Sequence, residues 1–145
     1  MVTIDDVLAV ARPLPRSTEV VVHGRLKFRV GKIVYLAFSR DETVMGFGFP
    51  KAWRAVLVEA EPDKFMLPGT SDMRFNWLLA RLATLEKTEM RELVLDAWRM
   101  VVPKYVAAEY EGKAYAATPG SGRALRGSSQ HTPLGISLPD PPSRG

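Results

Sequence analysis

The stretch His23–Lys32, HGRLKFRVGK, decides how this chain folds. Cationic Arg25, Lys27 and Arg29 alternate with apolar Leu26, Phe28 and Val30, the period-two pattern of a strand with one buried face. Gly31-Lys32 is a Gly-first two-residue turn, and IVYLAF (33–38) supplies the return strand. Regular pairing across that turn sets Val30 against Ile33, Phe28 against Tyr35 and Leu26 against Ala37 on an expected core face. The other face then opposes Arg29 to Val34, Lys27 to Leu36 and Arg25 to Phe38. On the ordinary reading, the basic stems lie over those apolar residues and keep their charged ends in water. On a functional reading, Arg25, Lys27, Arg29 and Lys32 take phosphates while Phe38 stacks a base. A third use is a protein or small-ligand interface built on the same surface, with His23, Leu36 and Phe38 as contacts.

Working outward, Thr3 and Asp6 form a capping box with a short acid, and Ile4, Val7, Leu8 and Ala11 fall at helical spacing. Pro13 and Pro15 end that helix, and STEVVVHG follows as a connector. Asp41-Glu42 turns the chain into a third strand, TVMGFGF (43–49), in which Gly46 and Gly48 signal a bulge or a close approach of backbone. Pro50 opens a helix carrying Trp53, Val56, Leu57 and Ala60 on one face. DKFMLP reads as a short edge strand, GTSDMRFN as a loop and WLLARLATL (77–85) as a strand. Met90, Leu93, Val94, Ala97, Trp98 and Val101 mark a last helix stopped by Pro103. The order αβββαββα describes an α+β two-layer sandwich, a mostly antiparallel sheet with its N- and C-terminal helices packed on one face. Trp53, Trp77 and Trp98 read as core anchors. Beyond Gly112 periodicity fails, so residues 1–111 are expected to form the domain and 112–145 a disordered basic tail rich in Gly, Pro and Ser.

Composition narrows the function classes. With no cysteine among 145 residues, disulfides, thiolate zinc sites and cysteine nucleophiles are excluded, and two distant histidines offer no metal site. No cofactor is expected. No apolar run approaches the roughly 18 residues of a membrane span, and the N-terminus lacks the layout of a signal peptide, so a cytoplasmic monomer is expected. The net charge of +4 is unevenly spread. Residues 12–40 hold Arg12, Arg16, Arg25, Lys27, Arg29, Lys32 and Arg40 against Glu19 alone, whereas the remaining folded part is acidic on balance. The tail adds Lys113, Arg123, Arg126 and Arg144 against Asp140. His23, before Gly24, is expected to make a structural hydrogen bond at the strand entrance. Gly46-x-Gly48 lacks the third glycine of a dinucleotide fingerprint, and no catalytic constellation stands out.

Taken together, ARPLP, HGRLKFRVGKIVYLAF, the helix-opening Pro50, EAEPDKFMLP, WLLARL and ELVLDAWRMVVPKYVAAEY resemble the small bacterial MmcQ/YjbR proteins over residues 2–110. The resemblance implies a CyaY-like, frataxin-like fold and a non-enzymatic module that contacts DNA. Frataxins meet iron on an acidic ridge. The corresponding helix here offers only Asp5 and Asp6 before a basic segment, which does not support iron delivery. The loop SDMRFN departs from the pattern of relatives, which place a small residue beside an aromatic one there.

Overall fold

The computed structural model describes residues 1–117. They divide into two compact units, the first ending at Val102. Helix α1 (Ile4–Ala11) starts at Thr3, whose side chain accepts from the Asp6 N–H while Asp6 accepts from the Thr3 N–H, the capping box expected from the sequence. A four-strand meander follows: β1 (Ser17–Val22), β2 (Arg25–Val30), β3 (Ile33–Phe38) and β4 (Val44–Gly48). Helix α2 (Arg54–Ala60) leads to β5 (Phe65–Met66), β6 (Trp77–Arg81) and helix α3 (Lys87–Arg99). The sheet is antiparallel throughout, in the order β1-β2-β3-β4-β6-β5.

The α+β layout stands as read, with two additions and one change: α2 begins at Arg54 and not at Pro50, and Val56 and Ala60, expected on its apolar face, are exposed. STEVVV is not a connector but the edge strand β1, paired along its whole length with β2. Its three consecutive valines carry no alternation to betray a strand, yet β-branched residues suit one. After α3, Pro103 does not end helical structure. It precedes α4 (Lys104–Ala117), which runs through Gly112, where the apolar pattern had stopped. That helix belongs to the second unit. The rest of the expected tail, 118–145, lies outside the described residues.

Register shows where the core sits. Directly opposed residues share a face, so Phe28, Leu36, Phe47 and Leu78 form one row across four strands, and Phe38, Met45, Ala80 and Phe65 form a second. Every member is buried. Helices α1 and α3 pack on each other and contribute Val7, Leu8, Ala11, Met90, Val94, Ala97 and Trp98 to the same core. Trp98 is the one tryptophan that is fully buried, and its Nε1 donates to the Pro15 carbonyl at 2.9 Å. Trp53 and Trp77, also expected as core anchors, are only half-buried. Bringing aromatic and aliphatic side chains together this way yields about 25 cal/mol per Å² of apolar surface removed from water.

Candidate nucleic-acid interface

Two hairpin turns fix the site. At the first, His23 and Gly24 both take positive φ, 53° and 76°. Positive φ at both central residues is the type I′ geometry, whose twist matches that of paired strands. His23 is therefore an exposed turn residue and not the strand-entrance residue expected. At the second, Gly31 has φ 60° and Val30 faces Ile33, so the Gly31-Lys32 turn forms as read.

The pairing beyond that turn corrects the expected register. Val30 faces Ile33 and Arg29 faces Val34, but Phe28 then faces Leu36 and Lys27 faces Ala37. Tyr35 is the extra residue of a β-bulge. A shift of one residue exchanges the faces of a strand. Leu36 and Phe38, expected beside the cations, consequently point into the core at 0% and 1% exposure. Neither can stack a base or meet a partner. Tyr35 is buried as well, its hydroxyl 2.7 Å from Ser17 Oγ. Burial pushes the Tyr35 phenol pKa up against the opposing effect of that hydrogen bond.

Opposite Phe28, the other face of β2 carries Arg25, Lys27 and Arg29. Arg25 and Arg29 are exposed and Lys27 is half-buried, while Lys32 stands exposed in the turn. Lys27 belongs to a row of six, Val20–Lys27–Ala37–Gly46–Leu79–Met66, one residue from each strand. Gly46 is buried and the other five are half-buried. A Cβ on Gly46 would lie 2.8 Å from Trp77 Nε1. The glycine is thus the close approach its sequence signalled, with an indole filling the space above it.

Electrostatics set these cations apart from their neighbours. Arg12 grips Glu19 through Nε and Nη2, both at 2.9 Å, and that grip holds the Glu19 carboxyl below its ordinary pKa. Among the described residues, the ion pairs Arg12–Glu19, Lys64–Glu61, Lys64–Glu89, Lys87–Asp6 and Arg99–Asp96 involve none of Arg25, Lys27, Arg29 or Lys32. Among the described residues the Arg25 guanidinium makes one hydrogen bond, to the Phe38 carbonyl at 3.4 Å. Among the described residues no cluster of three or more His, Cys, Asp or Glu side chains is arranged to hold a metal ion. No helix among them is long and apolar enough to cross a membrane.

One important residue has no signal in the sequence pattern. Arg54, at the start of α2, is buried at 6% exposure, and among the described residues its guanidinium bonds only main chain: the carbonyls of Met73, Phe75 (2.9 Å) and Trp77 (3.1 Å). Desolvation lowers its pKa, but a guanidinium keeps its proton in proteins. Lys51 reinforces the same loop, its Nζ donating to the Arg74 carbonyl at 2.9 Å and its N–H to Asn76 Oδ1 at 3.0 Å.

A family model, YjbR, matches residues 12–100, a span that runs from the end of α1 through the whole sheet and α3. The chain belongs to the YjbR family. A solved structure similar in fold to this YjbR domain is that of Deinococcus radiodurans protein DR2400, of the DUF419 domain family. It superposes at a TM-score of 0.63, with 21% identity over 77% of this chain and 89% of that one. At that identity the likeness is one of fold. No curated protein matches the chain.

Proposed function

We propose that this YjbR domain is a non-enzymatic module that binds DNA through the cationic face of β2. The observation that carries this reading is the row Arg25, Lys27, Arg29, extended by Lys32, in which no side chain is tied to a carboxylate among the described residues. Alternate residues of a strand advance about 6.6 Å, so Arg25 to Arg29 spans about 13 Å. That length matches about four phosphates at their roughly 3.4 Å axial spacing per strand. With Leu36 and Phe38 in the core, the hairpin keeps no aromatic group for stacking on this face. Contact is then with phosphates and carries no base preference.

A fluorescence titration with single- and double-stranded DNA tests the reading. Neutralising four duplex phosphates gives a log–log salt slope of about −3.6. Lys27→Glu combined with Arg29→Glu should abolish binding at low salt and leave the circular dichroism spectrum unchanged. Absence of binding at low salt, or binding indifferent to salt, overturns the proposal.

A further inference from the structure

The His23-Gly24 turn also fixes which backbone groups of β1 face its neighbour. In a two-residue hairpin the flanking pair, Val22 and Arg25, is hydrogen-bonded, and hydrogen-bonded pairs alternate with non-bonded ones from there. Val20–Lys27 and Thr18–Arg29 are thus bonded pairs, and Val21–Leu26 and Glu19–Phe28 are not. The N–H and C=O groups of Glu19 and Val21 therefore point away from β2. Ser17 belongs to the same set, and its N–H turns off the sheet to the Leu14 carbonyl at 3.3 Å. No strand lies beyond β1 among the described residues.

This edge lacks the usual protection. It is six residues long, has neither proline nor lysine, and exposes Val21 at 67%. Its single charge, Glu19, is neutralised by Arg12. At the other edge, β5 has two residues and lies between Pro62 and Pro68.

We infer that β1 pairs antiparallel with the β1 of a second copy, about a two-fold axis at Val20, in place of the monomer expected from the sequence. In such a symmetric pairing one residue must face its own copy. An axis at Glu19 would crowd two Arg12–Glu19 ion pairs against each other at one position. An axis at Val21 would set Glu19 against His23, which turns the chain at φ 53° and cannot continue a ladder. With the axis at Val20, Glu19 of each copy exchanges both backbone hydrogen bonds with Val21 of the other. Every edge-facing N–H of these residues is then satisfied. Val20 meets Val20 and Thr18 meets Val22, β-branched pairs that favour sheets. The two rows of β2 cations lie three strand spacings apart, about 14 Å, which exceeds the roughly 8 Å Debye length at physiological salt. Their repulsion is screened. The pairing stands independently of DNA contact.

The absence of cysteine makes a test simple, because one introduced thiol reports alone. Val20→Cys would place two thiols in a directly opposed, non-hydrogen-bonded pair with Cα atoms about 4.5 Å apart, inside the range a disulfide bridges. Val21→Cys, although at the more exposed position, would meet its own copy only diagonally, about 7–8 Å away. Under mild oxidation of the full chain, V20C should run as a covalent dimer on a non-reducing gel and V21C as a monomer. Wild-type protein should sediment as a concentration-dependent dimer. Monomeric wild type at every concentration, or cross-linking of V21C equal to that of V20C, overturns the inference. Should V20C misfold, T18C mixed with V22C decides in its place: bridging in the mixture and in neither variant alone supports the Val20 axis, and no bridging in the mixture refutes it.

Discussion

Phe28 and Lys27 are neighbours in one strand and separate two kinds of sheet face. Phe28 lies in a row buried from β2 to β6, sealed by α1 and α3. Lys27 lies in a row that is half-buried at every strand but β4, flanked by two exposed arginines. The first face determines whether the chain folds, and the second is left free to carry charge. Substitutions on one should barely register on the other.

The largest effect is expected from Leu36→Asp or Phe38→Asp. Either puts a carboxylate into a packed interior and should unfold a domain with an ordinary margin of about 5–15 kcal/mol, seen as loss of the cooperative melt. Phe28→Ala, which removes bulk without adding charge, should cost about 3–5 kcal/mol in urea titration with the proposed DNA binding kept. Arg54→Met strands three part-buried carbonyls and should cost about 1 kcal/mol for each that water does not reach. Across the strand, Lys27→Glu with Arg29→Glu should change stability by less than about 1 kcal/mol. A drop in melting temperature as large as that of Phe28→Ala would erase the distinction between the faces.

The smallest effect is a pH dependence at the α1 cap. The backbone N–H of Thr3, first among the causes, holds Asp6 below its ordinary pKa of 3.8, with Lys87 assisting. A carboxylate whose folded pKa is depressed stabilises the fold above its unfolded pKa and loses that contribution as pH falls through the folded value. Wild-type protein should therefore lose stability below about pH 4 slightly more steeply than Asp6→Asn, measured by thermal melts across pH 2–5.

Much of this contrast could be read from the residues. Alternation identified β2, Gly31 identified its turn, Gly46 announced a close approach, and Thr3 with Asp6 announced a cap. The bulge at Tyr35 could not be read, because a bulge is set by tertiary demands: Tyr35 needs both a buried ring site and the Ser17 hydroxyl. From that one residue followed the misplacement of Leu36 and Phe38. β1 has no such signal, because a strand exposed on much of its surface has little apolar alternation. Pro103 fits a helix end and a helix start equally well, which hid α4. Arg54 looks like any surface arginine on a short helix, and only the path of the loop from Met73 to Trp77 makes it internal.

That loop's grip has an evolutionary side. Arg54 holds the carbonyls of residues 73, 75 and 77, groups that every amino acid possesses. The clamp is therefore blind to loop composition and demanding about its own identity. Apart from Asn76, whose side chain accepts from the Lys51 N–H, SDMRFN can drift from the pattern of its relatives at no cost to the Arg54 anchor, whereas Lys at position 54 would lack the planar fork that reaches several oxygens at once. Variation is tolerated at residues 73 and 75 because Arg54 reads only their main chain.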